Sequence, residues 1–478
     1  LNLPQPKVPT KQTHANHVAV LGGGLAGIAA AVQLADAGLA VTLIETRKRL
    51  GGRATSFVDP TTGQILDNCQ HVLLGCCTNL LNLYQRLGVA QHIRWYRKLN
   101  FVDDLGRIDT LEADDLPAPL HLTTSLMSFK SITVVEKVAI ARAMFVLMRL
   151  GRRGRGQWHD RSFAHWLKTV RQPSGAVSKF WAPIIISACN ELPERLAADY
   201  AMQVFQDGFL SHEDAYVMGV PAVPLVELYA TAEAVIEKAG GTICLSTVAG
   251  SLQFAGGRVT AVTIDADRRF TADAFISALP FDRLAKICSP QMRGADPRLE
   301  HLDAFNVSPI IGIHLWLDRP VMDLPHLILT KSPLQWIFNK GLVTCPSTGQ
   351  HLHAVISAAH DLVNQPSDGI VAMALDELRK VLPTATDACL LHSRVVKEKR
   401  ATFSARPGIA THRPLATGPI ENLYLAGDWA CTGWPATMEG AVRSGYLAAA
   451  GVLQNLNRPV QPLVDDLSPT SLYQLFTP

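Results

Sequence analysis

The sequence predicts an α/β fold in which a dinucleotide-binding domain is assembled from both ends of the chain, with a mixed α+β substrate domain inserted between them. Three observations carry this. A glycine-rich turn joins a strand to a helix in "VLGGGLAGIAAA", residues 20–31. A strand ending in Gly427-Asp428 precedes a helix near the other end. Between them, strands alternate around Gly256-Gly257 and flank long helical stretches.

The glycine-rich turn comes first. Val18 to Leu21 reads as a short apolar strand and Ile28 to Ala37 as helix-forming, with Gly22, Gly24 and Gly27 between them in the spacing G-x-G-x-x-G. In that context the first glycine makes the tight turn and the second lets a pyrophosphate approach the backbone. The third lets the helix pack on its strand, and the helix N-terminus attracts phosphate charge. The next strand, "LAVTLIE", ends in Glu45, about the ~20-residue offset at which an acid accepts a ribose hydroxyl. A glycine-rich turn that meets this pattern by chance is the competing reading. After Glu45, "TRKRLGGRATS" adds Gly51-Gly52 as a second close backbone approach, with Arg47 and Arg53 to neutralise phosphate.

Composition bounds the rest. The 478 residues suffice for two or three domains with real cores, 48% of them are hydrophobic, and the net charge of +3 gives no reason to expect nucleic acid. Nine cysteines occur without a C-x-x-C pair, so reduced thiols and a cytoplasmic setting are expected. No metal-ligand spacing, P-loop or G-x-S-x-G nucleophile motif is present, so no metal is expected. No window of about 18 uncharged apolar residues exists to span a bilayer. The stretch "SITVVEKVAIARAMFVLMRLGRRGRG" (131–156) combines apolar residues with Arg149, Arg152, Arg153 and Arg155. It reads either as an interfacial helix for anionic lipid or as a core helix followed by a solvated basic loop.

Along the chain, residues 1–15 read as a polar, Pro-containing arm and 16–105 as the first part of the dinucleotide domain. Residues 106–219, with a helical stretch over roughly 120–215, are assigned to the substrate domain. Residues 220–290 return to the dinucleotide domain, with an amphipathic helix from Val223 to Ala239, stopped by Gly240-Gly241, and then antiparallel strands with a hairpin. Residues 291–414 are less regular and form the second part of the substrate domain. Residues 415–455 close the dinucleotide domain, and 456–478 form a surface tail. In the closing segment the Asp428 carboxylate suits a polyol hydroxyl. The amides near Thr437 and Met438, at a helix start, suit negative charge on a reduced ring.

Taken together, "GGGLAG", "ETRKRLGGR" and "AGDWACTGWPATMEGA" resemble the flavin amine oxidase and phytoene desaturase superfamily, over nearly the whole chain and in motif order. The resemblance implies a Rossmann-like domain that binds FAD. It assigns Gly22, Gly24, Leu25, Ala26, Gly27, Glu45, Thr46, Arg47, Gly52 and Arg53 to its ADP and pyrophosphate. It further implies an adenine contact through the backbone of Val248 and ribitol or pyrophosphate contacts at Gly427 and Asp428. Thr437 and Met438 fall beside the flavin's pyrimidine edge, and Gln70 and His71 near the ring. A narrower match, "ILDNCQHVLLGCCTNLLNLYQRLG" (65–88), with "KEKRATFSARPG" (397–408) and Arg413-Pro414, resembles the squalene-associated branch. That branch implies reduction of hydroxysqualene to squalene in hopanoid biosynthesis, with an unidentified reductant for the flavin and a peripheral membrane contact. Cys69 departs from the glycine usual at its position in that branch.

Individual residues carry two readings each. His71 either assists hydroxide departure as the catalytic acid or holds backbone. Asn190 either touches substrate or caps a turn, and Trp429 and Trp434 either wall a substrate tunnel or pack the domain joint. Cys76-Cys77 reads as small buried side chains, since adjacent cysteines pair only with strain. The competing functions are an oxidative carotenoid desaturase on the same fold, an amine or protoporphyrinogen oxidase, and a prenyl-binding carrier without flavin.

Overall fold

The computed structural model describes residues 17–265, 268–344 and 348–477; the arm expected at 1–15 lies outside the described residues. At the centre is a five-stranded, wholly parallel sheet ordered Thr242–Cys244, Ala40–Ile44, His17–Leu21, Ala274–Ser277, Leu423–Leu425. Both chain ends therefore build one Rossmann-like domain. Every residue of the second strand is buried, as a parallel strand covered on both faces requires.

The first helix, Leu25–Asp36, packs on this sheet and against the long closing helix of the domain, Met438–Asn455, which also meets the sheet. Its "LAGIAAAVQLAD" sequence is nearly all small or aliphatic, and it is buried from Leu25 to Ala35. That burial rests on missing side chains. A Cβ on Gly27 would stand 1.8 Å from the Gly22 carbonyl oxygen, and one on Gly445 would stand 2.2 Å from that of Ala26. Gly22 itself turns with φ +106°, a conformation open to glycine at little cost.

The second domain is built on a seven-stranded sheet ordered 390–403, 307–317, 348–356, 336–344, 326–329, 99–102, 108–111, antiparallel except where 326–329 runs beside 99–102. The sequence reads 291–414 as less regular, yet most of this sheet and a helix over Ser367–Val381 lie there. Alternation is masked because buried polar residues (His314, Gln350, His351, His353) occupy inward positions, while the edge strand Leu390–Phe403 is largely charged. The expected helix over 223–239 also divides, into a 3₁₀ turn at Leu225–Tyr229 and an α-helix at Ala232–Lys238. Its opening amides are taken by side chains from elsewhere: Leu225 N–H donates to Asp67 Oδ1 (2.9 Å) and Val226 N–H to Ser56 Oγ (3.2 Å). The hairpin around Gly256-Gly257 forms from Ala249–Ala255 and Arg258–Ile264.

Between 123 and 210 the chain is helical, around a core in which Trp181 meets Phe205 edge-on at 4.6 Å. Helix Val134–Arg155 starts on a capping box. Thr133 Oγ1 accepts from the Glu136 N–H, and Glu136 Oε2 accepts from the Thr133 N–H at 2.7 Å. Both readings of this stretch meet in it. Ile140, Ala143 and Leu147 are buried, while Val134, Val135, Val138 and Phe145 stand exposed. The basic residues do not form a solvated loop: past a break at Gly151 (φ +63°) they are helical, and Arg152 Nε and Arg155 Nη1 bind Asp207 at 2.8 and 2.9 Å.

The Gly445 contact gives the first test. Gly445→Ala drives a methyl into the backbone of the first helix, so unfolding in urea is expected to move to lower denaturant by about 1–3 kcal/mol of stability. A midpoint equal to wild type would mean that the two helices separate freely at this crossing.

Candidate active site

One large cavity, of about 820 Å³, opens where the two domains meet. Strand ends and helix starts of the parallel sheet supply one side. Gly22, Gly24, Leu25 and Ala26 line it from the first turn, and Glu45, Thr46 and Arg47 from the end of the second strand. Gly52 and Arg53 follow, with Val248 and Ala249 from the three-stranded sheet, and Gly427, Asp428, Thr437 and Met438 from the closing segment. Gly27 does not reach the cavity; it is packed beneath Gly22.

This side is polar and organised before any ligand. Gly24 at the N-cap of the first helix makes no side-chain cap bond, leaving its first-turn amides without that partner beside the cavity. Glu45 is buried, accepting from Gly23 N–H at 2.6 Å and Arg47 N–H at 2.7 Å. Arg53 pairs with Asp428 and donates to the Ala401 carbonyl at 3.0 Å. A helix N-terminus beside a fixed carboxylate is the arrangement that a dinucleotide requires. Helix Met438–Asn455 begins with Thr437 Oγ1 accepting from Gly440 N–H at 3.0 Å.

The opposite wall is mostly apolar. Pro183, Ile184 and Phe209 come from the helical region, and Leu99, Phe101, Trp336 and Phe338 from the seven-stranded sheet. The chain widens into π-helical turns at Val177–Trp181 and Gln206–Leu210, and the second of these carries Phe209 to the cavity. Trp429 and Trp434 line the cavity. The indole N–H of Trp429 donates to the Leu279 carbonyl at 3.0 Å, and Arg443 lies over the Trp434 ring at 4.8 Å. Asn190 lines it too, but its amide is committed: Nδ2 donates to the Ser308 carbonyl (3.1 Å) and to Thr402 Oγ1 (2.9 Å), and Oδ1 accepts from Ala358 N–H (2.7 Å).

Gln70 and His71 stand where the two sides join. His71 Nδ1 lies 2.9 Å from the Cys69 carbonyl oxygen, and a carbonyl only accepts, so Nδ1 carries the proton and Nε2 the lone pair. Burial pushes this imidazole below its ordinary value, against the pull of the Cys69 carbonyl and the carboxylates of Asp67 and Glu398. Gln70 Oε1 accepts from Lys340 Nζ at 3.2 Å. Cys76 is buried, and Cys76 and Cys77 are both free thiols.

The sequence reading missed a group of imidazoles behind this segment. His314 pairs across the sheet with His353, their rings stacked at 3.9 Å, and His314 Nδ1 is 3.0 Å from His351 Nε2. The alternation His351-Leu352-His353 puts two of them on one face, a signal the sequence did contain. His314 Nε2 lies 3.0 Å from the Asp67 carbonyl oxygen and so carries the proton, which makes His351 Nε2–H the donor to His314 Nδ1.

The comparisons with known proteins bear on this architecture. A family described as flavin containing amine oxidoreductase matches residues 25–453. The chain belongs to that family. It is an FAD-dependent oxidoreductase. The 15-cis-phytoene desaturase of Synechococcus elongatus is 27% identical over 91% of this chain and 95% of its own length. The zeta-carotene desaturase of a Synechocystis strain is 26% identical over 92% and 98%. Among solved structures, a putrescine oxidase variant redesigned in cofactor binding superposes with a TM-score of 0.70 at 18% identity, over 92% of this chain and 99% of that one. Cyclohexylamine oxidase from Brevibacterium oxydans does so with 0.67 at 16%, over 93% and 100%. These structures share the fold.

The desaturase relatives overturn the expectation of hydroxysqualene reduction, and with it the squalene and hopanoid assignment. The physical reason lies in the run that suggested it. Asp67 Oδ1 accepts from Ser56 Oγ and Leu225 N–H, and Asn68 Nδ2 donates to the Arg53 carbonyl at 2.7 Å. The leading residues of "DNCQH" thus have a bracing role that the fold itself requires.

The imidazole group predicts how stability depends on pH. Burial pushes His314 down to about 4, His351 down to about 2 and His353 well below the ordinary value, with Lys340 acting in the same direction. Unfolded histidine binds protons below about 6.5 while these remain neutral in the fold. Stability is therefore present above that pH and is lost as pH falls through it. Each such imidazole contributes a slope approaching about 1.4 kcal/mol per pH unit. Asp59 is a separate case. Burial opposes its carboxylate, but hydrogen bonds from Thr62 and the charge of His392 hold it below the usual range, so it acts only under about pH 4. Urea midpoints between pH 7 and 5 are expected to fall less steeply for His314→Gln than for wild type; equal slopes would remove His314 from this account.

Proposed function

We propose that this enzyme is a carotenoid desaturase of the phytoene type, introducing double bonds into a long isoprenoid chain. The observation that carries the reading is full-length similarity to curated phytoene and zeta-carotene desaturases. An apolar wall on the cavity supports it. So does the state of the cavity's carboxylates, which an ammonium substrate would need free. Asp207 is held by Arg152 and Arg155, Glu439 by Arg443, Asp428 by Arg53, and Glu398 accepts from Asn68.

In this reading Gly22, Gly24, Leu25, Ala26, Arg47, Gly52 and Arg53 hold the pyrophosphate, with Gly27 supporting them from below. Glu45 and Thr46 meet the ribose, and Val248 the adenine. Gly427, Asp428, Thr437 and Met438 hold the ribitol and flavin end. FAD, when bound, supplies a two-electron acceptor for hydride. Desaturation breaks C–H bonds on adjacent carbons, so the chain must also take up a proton. His71, neutral with its Nε2 lone pair available, is the proposed base, and Gln70, steadied by Lys340, lies beside it. Trp429 and Trp434 bound the substrate's path, and Asn190 fixes the strand-end backbone there. Because the direction is oxidative, the turnover partner is an electron acceptor such as a quinone, in place of the reductant expected from the sequence.

Phytoene in liposomes, supplied to FAD-loaded enzyme with a benzoquinone, is expected to yield conjugated polyenes seen by red-shifted absorbance. His71→Ala is expected to slow their formation more than tenfold, about 1.4 kcal/mol of barrier. Oxidation of a simple amine with no polyene would overturn the desaturase reading, and a variant rate within twofold of wild type would return His71 to a structural role.

We further propose peripheral membrane contact through the exposed face of helix Val134–Arg155, where Val134, Val138 and Phe145 share one side. No described helix is long and apolar enough to cross a membrane. Val135 is 74% and Val138 63% exposed, so charges placed there leave the core intact. Val135→Asp with Val138→Asp is expected to cut binding to anionic vesicles at least fivefold, with urea stability unchanged. Undiminished sedimentation with vesicles would move the contact elsewhere.

A further inference from the structure

Behind the loop that carries Asp428, Trp429 and Trp434 to the cavity lies a buried cation. Arg413 is 7% exposed. Its guanidinium donates from Nη2 to the carbonyls of Asp428 (2.9 Å) and Ala430 (2.5 Å), and from Nη1 to the Trp434 carbonyl (2.6 Å) and Tyr200 Oη (2.9 Å). These partners are all neutral. The rings of Phe403 and Tyr200 lie 5.1 and 5.5 Å from its central carbon. The next residue joins in, for the Pro414 carbonyl accepts from Cys431 N–H at 2.8 Å.

A charge removed from water is costly unless fixed dipoles replace the lost hydration. Here the loop's own carbonyls provide them, so the loop is folded around the guanidinium. The acid that faces Arg413 electrostatically, Asp199, also feels Arg155 and His159, and burial pushes its carboxyl above the usual range. The positive charge of Arg413 itself is met directly by neutral dipoles, in a medium that screens it less than water does.

We propose that Arg413 is a positioning residue for the flavin. It sets the 428–434 loop in its binding conformation before the cofactor arrives, and its charge behind that loop favours the more negative, reduced form. The inference rests on the cofactor alone and holds for any substrate.

Hydrogen exchange of the wild-type apoprotein tests the first part without a variant. The Ala430 and Cys431 amides, bonded to the Gly427 and Pro414 carbonyls, are expected to be as protected without FAD as with it. Protection that appears only on adding FAD would overturn the proposal. The second part is read from flavin midpoint potentials, by dye equilibration during photoreduction, in Arg413→Lys and Arg413→Gln. The lysine variant keeps the charge and loses the fork, so FAD affinity is expected to fall about tenfold at a near-native potential. The glutamine variant is expected to bind FAD at least as weakly and to show a lower potential. A native potential in Arg413→Gln, or equal lowering in both variants, would overturn the electrostatic role. Should neither fold, Tyr200→Phe removes one neutral bond while keeping the charge. Faster exchange at Ala430 and Cys431 with an unchanged potential is expected, and a lowered potential would overturn the claim that charge sets it.

Discussion

The architecture depends on one backbone-to-backbone approach, where Gly445 of helix Met438–Asn455 meets the Ala26 carbonyl of the first helix. The two helices come from opposite ends of the chain and follow parallel strands of the same sheet, so their N-termini emerge on the same side. Leu25 and Met438, the first residues of each, both line the cavity. Two helix N-termini held together in this way present aligned peptide dipoles to a single anionic ligand. Larger side chains at Ala29 or Gly445 would separate the helices and divide that field, and one at Gly27 would push the first helix off the turn at Gly22, which is why the sequence there is so poor in bulk.

What could be read from the sequence follows from how local each constraint is. The turn at Gly22, the acid at Glu45 and the strand end at Gly427-Asp428 are each specified within a few residues of chain, and the FAD-binding fold was legible from them. The hairpin at Gly256-Gly257 is local too. The seven-stranded sheet is different. Its strands are polar where His314 and His353 face each other and charged along the edge strand, and only pairing with distant partners makes them strands. The division of the 223–239 helix has the same origin, since Asp67 and Ser56, more than 150 residues away, take the amides that would open it. Arg413 was quoted as part of a motif, but no local pattern announces that a lone arginine before a proline will hold a loop by its carbonyls.

The correction of the substrate shows the same limit from the side of chemistry. A motif that braces backbone persists in any relative that needs the brace, whatever its substrate. Asp67 and Asn68 are of that kind, so the run containing them is informative about the fold and silent about the reaction. In the proposed reading the substrate meets the apolar wall, assembled from Leu99, Ile184, Phe209, Trp336 and others drawn from distant segments. Such residues are common everywhere, and their shared surface exists only after folding.

That wall also bears on how an isoprenoid is held. The carboxylates around the cavity are engaged by arginines or amides of the chain itself, and Asn190 spends its amide on Ser308, Thr402 and Ala358. Few polar groups are left to fix a substrate's register by hydrogen bonding. For a hydrocarbon chain this is an advantage, because a polar group left unmatched in the cavity would cost more than an apolar contact returns. In the proposed desaturase reading, position along such a chain is set by cavity shape, and the proposed base is His71 at the junction of the two walls. In that reading the polar side of the cavity is the cofactor's and the apolar side the hydrocarbon's, with the bond to be oxidised at their junction.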